Sequence, residues 1–239
     1  MPFRNIKPLH ILWQQDIEKE MLRGVFLGIA RVLLLAKIFQ QFKLEHLGQQ
    51  RHPYWRSQAG ALNPNQSLDW HIELARKNSK RVGYLNSVAL LDSLEDNPKY
   101  KTRLRYMLAV VNEPLHWSDT SLRAVGGIGR KEQGAVITLA NHLHLLQPVA
   151  GENDEDKQKR RVHFWLSTQM LAMHELGHVF GLFMGTGGKD PTDQELKDAH
   201  CLNECVMYWR EEDDLYKKIM GRPFCPSCLE KLKQFFIAP

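Results

Sequence analysis

The chain has 239 residues, 43% of them hydrophobic and 25% charged, and carries a net charge of +5. This length accommodates one or two domains with a sizeable core, and the composition excludes both a disordered chain and an integral membrane protein. The small positive excess is typical of a solvated basic surface, so nucleic acid is not predicted as a partner.

The first half of the chain alternates between predicted strands and helices. Val- and Ile-rich runs favour strands, whereas apolar residues recurring at helical spacing favour helices. The predicted strands are residues 9–13, 104–112 and 134–140, the predicted helices are 17–36 and 67–77 with Ser67 as N-cap, and the predicted loops are 57–66 and 117–131. Helices interleaved with strands indicate a mixed α/β fold.

Neither a secretory signal nor a membrane span is predicted. The first residues lack an apolar run followed by small residues. The most apolar stretch, residues 24–39, is interrupted by Arg31 and Lys37 and is therefore interpreted as buried core. We expect no membrane partner and a cytoplasmic location.

A long helix is predicted over residues 157–183. The acidic residues that precede it suit the positive end of a helix dipole. Phe164 and Met170 belong to its predicted core-facing side. Within this helix lies the run His174-Glu175-Leu176-Gly177-His178, which has the pattern HExxH.

The HExxH pattern indicates zinc chemistry. Histidines four apart lie one above the other on a helix, so His174 and His178 can bind a single zinc ion. Glu175 stands beside the first ligand, where it can take a proton from zinc-bound water. Gly181 extends the pattern to HExxHxxG, at a position where a left-handed residue can end the helix.

A hydrolytic zinc site needs a third protein ligand besides its water. The extended metzincin motif HExxHxxGxxH has histidine where this chain has Met184, and a thioether is a poor zinc ligand. Asp190 misses the corresponding aspartate position of aspzincins by one residue. Glu195 and Glu204 are conceivable ligands from a downstream segment. His200 is the preferred candidate because of the residues that follow it.

From His200 onward the sequence resembles the archaemetzincin family of zinc metallopeptidases, which belongs to the metzincin clan. In that family the third histidine is followed directly by cysteine, then by Cys-x-Met and a distal C-x-x-C. The corresponding runs here are His200-Cys201, Cys205-Val206-Met207 and Cys225-Pro226-Ser227-Cys228. Three residues separate Cys201 from Cys205, where the family usually has four.

This resemblance implies that His200 is the third ligand of a catalytic zinc. An insertion covering residues 184–199 would then separate it from the HExxHxxG motif. The resemblance also implies that Met207 is the methionine of the Met-turn, a hydrophobic floor beneath the zinc. The fold it implies is metzincin-like, with a mixed sheet and an active-site helix.

The four cysteines indicate a second, structural zinc. Two closely spaced pairs can close a tetrahedral all-thiolate site that leaves no open position for chemistry. The predicted ligands of this site are Cys201, Cys205, Cys225 and Cys228. Free thiols and disulfides are the alternatives, and a reducing compartment disfavours the disulfides. A zinc held by Cys201 would also fix the neighbouring His200 in space.

The predicted architecture is a single metallopeptidase domain over residues 1–239. Residues 1–183 would form an N-terminal subdomain with the active-site helix. Residues 184–239 would form a smaller C-terminal subdomain with the inserted loop, the Met-turn and the four-cysteine site. The oligomeric state is not predicted.

The predicted function is hydrolysis of peptide bonds, with two zinc ions per chain and Glu175 as general base. The strand at 134–140 is expected to be the sheet edge that pairs with an extended peptide or protein substrate. The alternative is a non-hydrolytic, zinc-stabilised binding module whose first site is vestigial or gated. The inserted loop at 184–199 motivates this alternative.

Overall fold

The computed structural model describes residues 5–40, 68–96, 105–118, 123–183, 200–208 and 221–237. Their strands are β1 (Leu9–Trp13), β2 (Leu85–Asn86), β3 (Tyr106–Val111), β4 (Leu115–His116), β5 (Ala124–Val125), β6 (Gly127–Gly129) and β7 (Gly134–Thr138). Their α-helices are α1 (Arg23–Leu35), α2 (Leu68–Lys77), α3 (Ser87–Asp96), α4 (Asp154–Val179) and α5 (Pro226–Phe236), and a 3₁₀ helix covers Ala140–Leu146. The predicted mixed α/β class is confirmed. The predicted loop at 57–66, the Ser67 N-cap and the insertion at 184–199 lie outside the described residues.

A four-stranded mixed sheet forms the centre of the fold, in the order β1-β3-β7-β6. β1, β3 and β7 are mutually parallel, and β6 runs antiparallel to β7. Every residue of β3 and β7 is buried. Both faces of the sheet are therefore covered, which explains why these strands are continuous apolar runs instead of alternating ones. A smaller sheet has the order β2-β4-β5.

The edge of the larger sheet differs from the sequence prediction. Residues 134–140 do contain a strand, β7, but the prediction that it is an edge is wrong because it lies between β3 and β6. Residues 117–131, predicted as a loop, contain β5 and β6. Gly-Ile-Gly has a weak intrinsic preference for strands. Its extended form is stabilised by pairing with β7, and β6 becomes the edge of the described sheet.

Helix α1 packs closely on α4. It begins at Arg23, later than the predicted residue 17, because the preceding residues form turns, such as the one closed by the Met21 amide donating to the Glu18 carbonyl. Gly24 and Gly28 face α4. A Cβ atom on Gly28 would lie only 2.6 Å from the backbone carbonyl oxygen of Gln169. The glycines thus let the two helix backbones approach each other.

Helix α4 starts earlier and ends earlier than the predicted range of 157–183. Asn153 is its N-cap, and the Asn153 side-chain oxygen accepts a hydrogen bond of 2.9 Å from the Asp156 amide. The helix ends at Val179, and Gly181 adopts a φ of +81°, the left-handed conformation that terminates helices. None of the helices in the described ranges combines the length and the apolar character that a membrane crossing requires.

Aromatic packing joins α5 to the end of α4 and to the sheet. The Phe236 and Phe180 rings lie 4.9 Å apart, and the Phe180 and Tyr106 rings lie 5.2 Å apart, both edge to face. Cys201, Cys205 and Met207 are buried in the same apolar cluster. The loop at 200–208 is thereby held against the C-terminal end of α4.

Candidate metal centres

Three histidines converge beside the last turns of α4. His174 and His178 lie on one face of the helix, and their Nε2 atoms are 3.2 Å apart. His200 comes from the separate loop, and its ring centroid lies 5.1 Å from the centroid of each of the other two rings. One nitrogen from each ring falls within 4.8 Å of the others, so the three can hold one metal ion.

Backbone carbonyls orient the two helical histidines. His174 Nδ1 lies 2.7 Å from the carbonyl oxygen of Val206, and His178 Nδ1 lies 3.0 Å from that of Leu182 and 3.2 Å from that of Phe183. A carbonyl only accepts hydrogen bonds, so Nδ1 must carry the proton in each ring. Each Nε2 therefore presents its lone pair to the space between the rings, as a metal ligand does.

Burial keeps these imidazoles neutral. It lowers the pKa of His174 well below the ordinary histidine value, and the neighbouring His178 and His200 rings act in the same direction. Burial, with a smaller contribution from His200, lowers the pKa of His178 to about 4. Neutral rings bind a metal without first losing a proton. The donor set therefore fits zinc, which accepts imidazole nitrogen readily.

Glu175 lies on the side of α4 that faces the edge strand β6. Glu175 is only 5% exposed, and burial raises the pKa of its carboxyl group to about 8. The carboxylate approaches the backbone of Gly127 and Gly129 closely. A carboxyl group with a pKa near neutrality is suited to exchanging protons during a reaction.

The four cysteines form a second cluster. Their sulfur atoms all lie within 4.8 Å of one another, with Cys201 and Cys225 at 3.6 Å and Cys205 and Cys228 at 3.9 Å. All four are free thiols, so the disulfide alternative is not observed. The hydrogen bond between the Cys205 and Cys228 thiols lowers the pKa of Cys205 and raises that of Cys228, so the pair shares one proton. Four converging sulfur ligands fit a closed tetrahedral zinc site.

Asn203 supports the sulfur cluster from the same loop. Its backbone amide donates to Cys201 Sγ at 3.4 Å, and its side-chain amide donates to Cys225 Sγ at 3.5 Å. Hydrogen bonds of this kind stabilise thiolates and orient metal ligands. At Cys201 the Asn203 hydrogen bond opposes burial, which raises the pKa of this thiol.

The two clusters share one short stretch of backbone. His200 directly precedes Cys201, and Val206, whose carbonyl oxygen orients His174, lies between Cys205 and Met207. The Cys201 amide donates to the Met207 carbonyl at 2.9 Å, which closes the loop on itself. Any displacement of the sulfur cluster must therefore move groups that contact the histidine cluster.

Met207 lies directly beneath the histidine motif. It is fully buried, and a Cβ atom on Gly177 of α4 would come within 2.3 Å of Met207 Sδ. The glycine in the middle of the motif thus leaves room for the methionine. The role of Met207 as the floor of a zinc site stays a prediction.

Sequence reasoning missed several groups in these clusters. The carbonyls that orient His174 and His178 are backbone groups, and Val206 has no side-chain feature that would identify it. The Asn203 donors and the approach of β6 to Glu175 were also missed. For the approach of β6 to Glu175, the Gly-x-Gly spacing of β6 was the one available signal in the sequence. Asp190 and Glu195 lie outside the described residues, and Glu204 is not among the residues of either cluster.

A solved structure that resembles the chain is that of a zinc-dependent peptidase from Methanocorpusculum labreanum (strain Z). The two sequences are 18% identical, the match covers 94% of this chain and 99% of that one, and the TM-score is 0.43. No protein-family profile and no curated protein matches the sequence. These comparisons do not assign the chain to a family.

Proposed function

We propose that this protein is a zinc-dependent peptidase of the metzincin type, most similar to archaemetzincins. The observation that carries the proposal is the convergence of three histidine rings, two of them fixed by backbone carbonyls, on the helix face next to a buried glutamate. His174, His178 and His200 would hold the catalytic zinc. When bound, zinc supplies a Lewis acid that polarises the scissile carbonyl and makes water more acidic.

The three histidines would act as neutral ligands throughout the reaction. The Nδ1–H groups of His174 and His178 donate to carbonyls, so neither ring can turn without breaking a hydrogen bond. Three neutral ligands leave the full positive charge of the ion available to the substrate. Met207 would form the apolar floor of this site.

Glu175 would be the general base. It would take a proton from the attacking water and then deliver it to the leaving amine. Burial already favours the protonated carboxyl group over the carboxylate. The nearby positive charge of zinc would favour the carboxylate, so the two opposing effects would bring the group close to the balance that proton exchange in both directions requires.

The edge strand β6 would bind the substrate backbone. An extended peptide can add to an exposed sheet edge through main-chain hydrogen bonds. β6 is the last strand of the described sheet, beside β7, and it lies against Glu175. A peptide aligned there would bring a peptide bond next to the base.

The four cysteines would hold a second, structural zinc. This would give two zinc ions per chain, with the sulfur site fixing the loop that carries His200. Because thiolate ligands persist in reducing surroundings, we further propose a cytoplasmic location. The subdomain division at residue 183 is part of the same proposal, whereas gating by residues 184–199 belongs to the alternative of a binding module.

The variant Glu175→Gln tests the proposed activity. We expect it to lose at least about 10²-fold in the rate of cleavage of fluorescein-labelled casein or of a fluorogenic peptide library, because glutamine cannot accept the proton. Its zinc content, measured by plasma mass spectrometry, should equal that of the wild-type protein. Full activity in the variant would contradict the mechanism.

His163→Gln is a matched control for this experiment, because His163 lies on the same helix outside both clusters. It should cleave at the wild-type rate. If the protein is instead a zinc-stabilised binding module, neither the wild type nor Glu175→Gln nor His163→Gln should cleave a substrate. Zinc should then be bound at the cysteine site alone.

A further inference from the structure

The edge strand β6 approaches α4 more closely than side chains would permit. A Cβ atom on Gly127 would lie 2.8 Å from Glu175 Cγ and 2.9 Å from Glu175 Oε1. On Gly129 it would lie 2.6 Å from the Glu175 carbonyl oxygen and 2.9 Å from His178 Cβ. Real Cβ atoms essentially never come within 3.0 Å of such atoms. Alanine at either position must therefore displace the strand, the helix or the glutamate.

The glycines do not serve an unusual backbone conformation. The positive-φ glycines of the described residues are Gly83, Gly151 and Gly181, so neither glycine of β6 needs glycine for its dihedral angles. What both positions require is the absence of a side chain on the face towards α4. Ile128, between them, is buried in the apolar cluster on the opposite face of the sheet.

We propose that Gly127 and Gly129 are positioning residues for Glu175. Together they form a slot between β6 and α4 that confines the glutamate side chain, with Gly127 meeting its Cγ and Oε1 and Gly129 meeting its backbone. This inference rests on the proposed function, since it concerns the residue proposed as general base. As a consequence, β6, the strand proposed to bind the substrate, also determines the position of Glu175.

Gly127→Ala tests this role, with Gly126→Ala as its matched control. A Cβ atom on Gly126 would meet only Leu171, at 3.1 Å from the end of a flexible side chain, so little needs to move. Both variants would be assayed with the best single fluorogenic peptide from a library screen. We expect Gly127→Ala to lower kcat by about 10²-fold, the effect of misplacing a catalytic group by about 1 Å.

Two further readouts separate positioning from general damage. The zinc content of Gly127→Ala should stay close to wild type, because no metal ligand is removed, and the loss should fall on kcat more than on KM, because the Glu175 side chain moves away from the new methyl group. Stability supplies a test that needs no activity. The Tm loss caused by Gly127→Ala should be smaller by about 2–4 °C when Glu175 is replaced by alanine, since the Cγ contact is then gone. The clash of the new Cβ with the Val136 carbonyl is present in both backgrounds and cancels.

Each outcome decides the proposal. Equal kcat in Gly127→Ala and Gly126→Ala overturns it while leaving the peptidase proposal intact. Loss of zinc together with activity in Gly127→Ala also overturns it, because the damage would then lie in the metal ligands. An equal Tm loss in the two backgrounds shows that the alanine does not press on Glu175. A wild-type protein that cleaves no peptide refutes the proposed function, and the Tm comparison then still tests the slot.

Discussion

Replacing Gly177 by alanine should disturb the histidine cluster without touching any of its ligands. Gly177 lies inside the HExxH motif, between Glu175 and His178, and faces the buried Met207. The added Cβ atom would lie 2.3 Å from Met207 Sδ and 3.1 Å from its Cε. The sulfur would have to retreat by about 1 Å to restore an ordinary contact.

The magnitude follows from two opposing effects. Alanine favours the helix over glycine by about 1 kcal/mol, whereas overpacking a filled core costs about 1–3 kcal/mol. The net loss in the free energy of unfolding should therefore be up to about 2 kcal/mol, or up to about 8 °C in Tm. Moving Met207 also moves the adjacent Val206 carbonyl, which orients His174. Loss of such an orienting contact lowers metal affinity by about 10–100-fold.

The assay combines thermal unfolding with a zinc titration of the histidine site. The double variant Gly177→Ala/Met207→Ala is the control, because removing the thioether makes room for the new methyl group. The free energy of unfolding of the double variant should be higher, by about 0.5–3 kcal/mol, than the value obtained by adding the losses of the two single variants. If Gly177→Ala instead raises Tm by the full helix-propensity gain and binds zinc as the wild type does, the packing of Met207 beneath the motif is refuted.

Three further predictions concern pH, the sulfur cluster and the helix interface. The first test uses protein treated with 1,10-phenanthroline until one zinc per chain remains. The carboxyl group of Glu175 has a pKa of about 8 in the folded state, above its value of 4.5 in the unfolded state. The free energy of unfolding that its protonation contributes is therefore lost as pH rises from about 4.5 to about 8. Urea unfolding measures the difference in the free energy of unfolding between Glu175→Gln and the wild type. This difference should grow in favour of the variant by about 2 kcal/mol between pH 6.5 and 8, because glutamine does not titrate. A constant difference would contradict the raised pKa of Glu175. Cys228→Ser should weaken zinc binding at the histidine cluster as well as at the sulfur cluster, measured as zinc per chain after dialysis, whereas retention of the histidine-bound zinc would show that the clusters are independent. Gly28→Ala should lower the free energy of unfolding by up to about 2 kcal/mol, because the overpacking cost of about 1–3 kcal/mol from the clash of its Cβ with the Gln169 carbonyl exceeds the helix-propensity gain of about 1 kcal/mol, and a gain in stability in urea unfolding would refute the close helix contact.

The elements with a strong local signal could be predicted from the sequence. β3 and β7 are continuous runs of apolar and β-branched residues, and α4 has an acidic start and helical spacing. The histidine pair followed directly from the helix period, because residues four apart share a face. Gly181 was recognised as a helix terminator and does adopt the left-handed conformation.

The features that depend on tertiary contacts could not be predicted in this way. β6 has no strand signal of its own, so its existence and its edge position depend on pairing with β7 and on the space beneath α4. His200 could be selected only through the cysteines next to it, since its distance along the chain from His178 carries no periodicity. The Val206 carbonyl is a backbone group that every residue possesses, and only the fold brings it to His174.

The most direct test of the central claim is the number of zinc ions bound by purified wild-type protein and by His200→Ala. Plasma mass spectrometry gives the count, and zinc X-ray absorption gives the ligand types. We expect two zinc ions in the wild type, one bound to sulfur and one to nitrogen, and loss of the nitrogen-bound ion alone in His200→Ala. A single sulfur-bound zinc in both proteins would contradict the claim that these three histidines form a catalytic metal site.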